Sequence, residues 1–397
     1  DHRYLQCFPT RRSSDLPHCG KETRINVKAA KIEVLTTQGP IEVHRNWYVC
    51  RTCGEGFSPV DTMLGLDKTG HKMTPEMAAK VAYAGQMAPS FEAAQQGLDY
   101  LAGLKESAYL IREVTEETGQ KVHEQQMELS EQAVARPEEA VHSALPHEQK
   151  TGALYVMADG SQVNTREQGR DGSSWKEMKL GLVYSDDHVI TRKGGQSILM
   201  NKEYVTYFGG VDGFKKLLFD TAARGGYGTY QKTVVIGDGA HWIWNMCDEL
   251  FPDAIQVLDY YHMCENVHDY AKYIYPGDDL RRKGWAESII TKIEKGDLSG
   301  ALASIPAVRE VKLPVGVPNL SAYLSNNRKR MNYNDLKQQG IKIGSGAVES
   351  GNKKVIQQRM KQSGMRWNVK TGQAVASLRA KSASARWVDV ERILSAA

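Results

Sequence analysis

The hydrophobic pattern of the chain changes period several times. From Pro17 to Phe57, short apolar–polar alternations around a TTQGP turn predict a small β module. Residues 74 to 130 instead carry apolar positions at helical spacing. Phe91, Ala94, Leu98 and Leu101 recur three to four apart, AGLKES interrupts, and Leu110, Ile111 and Val114 resume. This layout of helix, turn at Gly103 and second helix fits a DNA-reading helix-turn-helix and equally a helical hairpin that merely packs. The acid-rich, Pro-marked stretch from Glu124 to Lys150 predicts a helix end and a linker.

The period then shortens. LYVMADGSQVNT, WKEMKLGLVYS and HVITRKGG predict three consecutive antiparallel strands, followed by a helix around Phe214 to Ala223. KTVVIGDGAHW adds a buried strand through Val234, Val235 and Ile236 that ends in Gly237-Asp238-Gly239, and AIQVLDYYH repeats the arrangement up to Asp259. From His262 to Lys337 the pattern is helical, with Trp285, Ile289 and Ile293 on one face, and IGSGAVESGNKKVIQQRMKQ supplies a late helix. Strands interleaved with helices in this order imply an α+β fold with a mixed sheet flanked by helices.

With 397 residues, 41% of them hydrophobic, the chain is long enough for a full core and two or three modules. No run approaches the roughly 20 apolar residues of a membrane span, so neither a transmembrane helix nor a secretory leader is expected, and the cytoplasm is the expected compartment. The six cysteines are too few for a disulfide scaffold. The pair in CRTC, Cys50 and Cys53, reads as a metal knuckle that with Cys19 would hold Zn, its fourth ligand missing; three unligated cysteines are the other reading. Cys247 and Cys264 lack ligand spacing and read as core. The missing partner falls near Leu16, inside FPTRRSSDL (Phe8 to Leu16), which resembles the in-frame translation of a synthetic sequencing adapter. Residues 1–16 are therefore set apart, and the authentic chain is expected to begin near Pro17.

A net charge of +4 says little, but its distribution says more. Nine bases and no acids lie between Ser350 and Trp387: Lys353, Lys354, Arg359, Lys361, Arg366, Lys370, Arg379, Lys381 and Arg386. Such a segment can track phosphates, with Trp367 available to stack on a base. A solvated helix surface would ordinarily interleave acids with the bases.

Three acids stand where chemistry would be expected. Asp159 closes the first strand of the sheet, Asp238 closes the fourth, and Glu349 lies near the start of the late helix. Each alone is ordinary: an Asp-Gly after a strand is usually a turn, and a Glu in a first helical turn suits the helix dipole. Together they form a set able to hold Mg2+ or Mn2+, hard cations that prefer oxygen, as a pair of ions roughly 3.5–4 Å apart. Glycines beside Asp159 and Asp238 would let a phosphate backbone come close. His241 and Trp242 follow Asp238 and read either as DNA-end contacts or as a helix start and a core Trp. Lys353 and Lys354, one turn beyond Glu349, suit phosphate contact.

MADGSQVNTRE, WKEMKLGLVYS, YGTYQKTVVIGDGAHWIWN, LDYYHMCENVHDYAK and KIGSGAVESGNKKVIQQRMKQSGMRW resemble the ISKra family of insertion-sequence transposases, relatives of the Mutator-like group. The resemblance implies a DDE transposase that cuts element ends and joins them to target DNA. Its parts would be a zinc-ribbon module (17–62), a helical DNA-binding region and linker (63–150) and an RNase H-like catalytic domain (151–397), the last interrupted by a helical insertion at about 265–338. It assigns the catalytic acids to Asp159, Asp238 and Glu349, with Mg2+ or Mn2+ as cofactor, DNA as partner and a homo-oligomer as working form in the nucleoid. A further motif of that group, an acid followed two residues later by His, is matched by Asp259 and His262. Asp259 reads equally as the N-cap of the helix starting at Tyr260. Two rival readings remain, an RNase H-like nuclease that does not join strands and a catalytically silent DNA binder derived from such an element.

Overall fold

The computed structural model describes residues 23–142, 150–169, 172–193, 197–306, 313–314 and 316–396. It begins with an antiparallel hairpin, β1 (Thr23–Thr36) and β2 (Gly39–Cys50), closed through Thr37 and Gln38. Gly39 takes φ 106°, a conformation that favours glycine at the tight reversal. A two-residue strand, β3 (Gly56–Phe57), pairs with β2 at Tyr48 and Val49, so the CRTC loop folds back on itself. The Cys50 amide donates to the Glu55 carbonyl (2.8 Å), and the Thr52 amide reaches the Cys50 Sγ (3.3 Å). Cys19, the third cysteine of the expected zinc site, lies outside the described residues.

Six helices follow: α1 (Pro59–Met63), α2 (Leu66–Thr69), α3 (Pro75–Met87), α4 (Phe91–Ala102), α5 (Ala108–Ala135) and α6 (Pro137–His142). The hydroxyls of Ser90 and Ser107 cap α4 and α5, each accepting from an amide three residues on, and Gly103 ends α4 at φ 63°. One expectation needs correction: Leu101 does not continue the buried stripe of α4 but stands 84% exposed. The helix end expected after Glu124 falls at Ala135, with Ala133 still buried.

The central sheet has five strands: β4 (Lys150–Asn164), β5 (Trp175–Ser185), β8 (Lys202–Tyr207), β9 (Tyr230–Gly237) and β10 (Ile255–Leu258), ordered β10-β9-β4-β5-β8. β4, β5 and β8 are antiparallel neighbours, whereas β9 and β10 run parallel to β4. Ala153 to Ala158 are all buried, as a central strand covered on both faces requires. The third strand is not the expected one. HVIT contributes only β6 (Val189–Thr191), which pairs with β7 (Ser197–Leu199) in a separate ribbon and leaves Ile190 53% exposed. KEYVTY forms the sheet strand instead. Its Glu203 hides the strand pattern, yet it is buried, taking two hydrogen bonds from Arg224 (2.9 and 2.8 Å) with Lys381 and Arg386 within 4 Å.

Helix α7 (Val211–Arg224) crosses from β8 to β9, and α8 (His241–Leu250) links β9 to β10. Among the described residues every element between β10 and Gly346 is helical: α9 (Tyr260–Ile274), α10 (Asp279–Glu294), α11 (Leu298–Ala303), α12 (Leu320–Asn326), a short turn Arg328–Arg330 and α13 (Tyr333–Gln338). Ala286, Ile289 and Ile293 bury one face of α10. The chain then returns to the sheet as α14 (Gly346–Asn352), which passes without a break through a π-helical segment, Lys353–Gln357, into α15 (Gln358–Met360). Last come α16 (Val369–Ala383) and α17 (Trp387–Ser395). α5 packs against α3, α7 and α16. At its crossing with α16, a Cβ on Gly119 would stand 2.2 Å from the Ala374 carbonyl oxygen, so the helical region is tied directly to the sheet domain.

Candidate metal centre

Parallel pairing sets the level of the first two acids. The last pair between β4 and β9 is Met157 with Ile236, so two residues further on Asp159 and Asp238 emerge side by side, about 4.8 Å being the usual strand spacing. Asp159 therefore does not close its strand as expected. It lies inside β4, which runs on to Asn164 against β5 alone. On the other side β10 ends at Leu258 opposite Gly237, and the Asp259 amide donates to the Gly237 carbonyl (2.8 Å). Three neighbouring strands thus deliver Asp159, Asp238 and Asp259 to one rim of the sheet.

Each carboxylate is held by its surroundings. Asp159 accepts from the Gly160 amide (2.7 Å) and from the Asn352 side-chain amide (2.5 Å). Burial pushes its pKa up and the nearby Asp238 charge adds to that, against the pull of the two hydrogen bonds and of His262. Asp238 accepts from the Ala240 amide (2.9 Å), while its carbonyl takes the Tyr323 hydroxyl (2.9 Å). Asp259 is fully buried and does cap α9, accepting from the Tyr261 amide (3.0 Å). The same carboxylate also takes the Ser345 amide (3.2 Å) and hydroxyl, so the cap of α9 is tied to the residue that precedes α14.

Glu349 sits exposed in the first turn of α14. The Ser345 hydroxyl lies 2.5 Å from its Oε1 and within reach of Asp259, so one proton serves two carboxylates. His262, one turn into α9, completes a group in which the ligand atoms of Asp259, His262 and Glu349 all lie within 4.8 Å of one another. Asn352 is 3% exposed, and its Oδ1 has no hydrogen-bond partner. Asp259, His262 and Glu349, two carboxylates and one imidazole, could hold a hard or borderline divalent cation, whereas the expected Asp159 and Asp238 lie outside that group.

The remaining expected site residues divide. Lys353, Lys354, Lys361 and Arg366 are exposed and run on from Glu349. Arg359 and Trp367 are not available for DNA. Arg359 is 2% exposed, lies over the rings of Phe91 (4.9 Å) and Trp367 (5.2 Å), and donates to the Pro89 carbonyl (2.8 Å). Burial lowers its pKa to about 10. Trp367 is 6% exposed and donates to the Met360 carbonyl (3.3 Å). Arg379 and Lys381 are buried too, so the basic segment is in part a set of internal staples. The three glycines beside the acids are filled by protein rather than left open: a Cβ would meet Glu177 at Gly160 (2.2 Å), Ile243 at Gly237 (2.9 Å) and Tyr323 at Gly239 (2.7 Å). His241 begins α8, and Trp242 packs edge-on against Phe214 (5.8 Å). Cys247 is buried, as a core residue should be.

A family model covers residues 20–392 of this chain. The chain belongs to the uncharacterised protein family UPF0236. That match takes in all five donors, Asp159 through Glu349. No curated protein matches the chain.

The sequence reading missed Ser345, Asn352 and Tyr323. A signal for the first two was present: Ser345, Glu349 and Asn352 fall at i, i+4 and i+7, a polar stripe along the face that meets the sheet rim.

Proposed function

We propose that this chain is a DDE transposase of a bacterial insertion sequence, built on an RNase H-like domain, that cuts element ends and joins them to target DNA. What supports the reading is the alignment of Asp159, Asp238 and Asp259 on three neighbouring strands, with the ligand atoms of Asp259, His262 and Glu349 within 4.8 Å of one another. The resemblance to the ISKra family supports it from the sequence side.

Asp159, Asp238 and Glu349 would hold two Mg2+ or Mn2+ ions, with Asp259 and His262 beside them. When bound, such ions acidify an attacking water or 3'-hydroxyl and stabilise charge on the phosphoryl oxygens. The protein's own part is positional. Asn352 orients the Asp159 carboxylate, and Asp259 fixes Ser345, which in turn steers Glu349. The exposed Lys353, Lys354, Lys361 and Arg366 would bind the DNA backbone as point charges. Pairing two element ends calls for a dimer or larger assembly, acting on the nucleoid in the cytoplasm. Cys50 and Cys53, with Cys19, would form an incomplete zinc site in a ribbon that recognises the ends.

The test is metal-dependent nicking and strand transfer on DNA that flanks the gene, with Asp238→Asn as control. The proposal expects cut and joined products from the wild type in Mn2+ and neither from the variant. Cut products without joined ones would assign a nuclease. Equal activity in both proteins would remove the catalytic assignment.

A further inference from the structure

A second charged feature lies beside the acid rim, and none of the sequence expectations absorbed it. The turn Arg328–Arg330 places three consecutive cations on the wall of a groove of about 630 Å3, with Ser325, Asn326 and Gln256 beside them. Among the described residues, none of these three cations has a carboxylate within 4 Å, whereas Lys215, Arg224, Lys381 and Arg386 all do. The one acid in the groove wall, Asp248, is engaged by the Gln256 side-chain amide (2.5 Å).

The turn is braced rather than loose. Arg330 lies over the Trp244 ring (4.4 Å), its Nε donates to Gln256 (2.6 Å), and its Nη1 reaches the Asn326 carbonyl (3.2 Å). Burial lowers the Arg330 pKa, and the Asp248 charge in the same groove wall offsets that only in part. Arg328 and Lys329 are exposed. The brace also reaches the acid rim, because Tyr323, on the helix just before the turn, donates to the Asp238 carbonyl and caps the loop that carries Asp238. Asn327 donates back to the Tyr323 carbonyl (3.0 Å).

We propose that this groove binds the phosphodiester backbone of DNA a few nucleotides from the bond held at the acid rim, and that Arg328 and Lys329 neutralise two of its phosphates. The inference rests on the phosphodiester reading of the acid rim. Spacing supports it. Gln256 lies three residues before Asp259 in an extended edge segment, or about 10 Å at roughly 3.3 Å per residue. One strand of DNA covers that distance in about three nucleotides at roughly 3.4 Å each. Charge supports it as well: Lys353 and Lys354 stand exposed on the other flank of the acids, so the rim lies between two positive patches.

The experiment is fluorescence anisotropy of a labelled DNA duplex over a series of KCl concentrations, comparing the full chain with Arg328→Gln/Lys329→Gln and with Arg328→Lys/Lys329→Arg. Losing two phosphate contacts is expected to lower the slope of log affinity against log salt by about two, while the charge-keeping variant retains the wild-type slope. Both side chains are exposed, so melting temperatures are expected to stay together. A glutamine variant with the wild-type slope would overturn the groove while leaving the proposed function standing. A wild type with no salt-dependent DNA binding would overturn both.

Discussion

Gly351 offers a sharp test of how the Glu349 helix is seated, because two effects of known size oppose each other there. Gly351→Ala in a helix interior should stabilise by about 1 kcal/mol on propensity alone. In place, however, the new Cβ would stand 2.3 Å from Tyr204 Cε1 and 3.0 Å from Cζ. The ring cannot swing aside: Tyr204 is 4% exposed on β8, and its amide donates to the Ser384 hydroxyl (2.8 Å). Forcing a methyl into a packed core typically costs about 1–3 kcal/mol, which cancels the propensity gain and leaves a net loss of up to about 2 kcal/mol. For a chain of this length 1 kcal/mol moves Tm by only about 1 °C, so a fall in Tm of up to about 2–3 °C is expected. The same push displaces Glu349 and Asn352, so Mn2+ affinity measured by calorimetry should drop together with Tm. A Tm that rises, with Mn2+ affinity unchanged, would show that α14 does not rest on Tyr204 and would refute the packing argument.

Two further predictions concern groups away from the rim. Glu203→Gln removes the acid shared by Arg224, Lys381 and Arg386, which keep Asp220 and Asp389 as partners and are in part exposed, and should cost about 1–3 kcal/mol in urea unfolding; a change under about 0.5 kcal/mol would mean that water already screens this network. His123 on α5 is kept below its ordinary pKa chiefly by burial, and its Nδ1 has no hydrogen-bond partner. The folded chain therefore binds fewer protons here than the unfolded one, so this stability is intact above about pH 6.5 and is lost as pH falls toward the folded value. Unfolding free energies measured at neutral pH and near pH 5 should diverge less in His123→Gln than in the wild type, and parallel curves would exclude His123 as the source.

Much of the sheet was legible because buried strands advertise themselves: Val234 to Ile236 is a short apolar run ending in Asp-Gly, and the helical stretch before it forces a crossover. Register was not legible. Nothing local says that β9 stops pairing with β4 at Ile236 while β4 runs on against β5, which is why Asp159 looked like a strand terminus. β8 escaped notice for an electrostatic reason, since Glu203 depends on partners that lie up to 183 residues away in Arg386. Arg359 misled in the opposite direction. Its charge suggested DNA, yet it occupies the same face as Val355, Ile356 and Met360, all fully buried, and that periodicity outweighs residue type when aromatic rings and a carbonyl await the guanidinium.

The rim is drawn from widely separated parts of the chain, and this bears on how the protein matures. Asp159, Asp238 and Asp259 can align only once β4, β9 and β10 have zipped together, contacts of high sequence separation that form slowly. Glu349 arrives later still, beyond the helical excursion. A polypeptide emerging from the ribosome therefore gains Glu349 only after the strands of the sheet, and any product that stops short of α14 lacks that carboxylate even if its sheet is fully assembled.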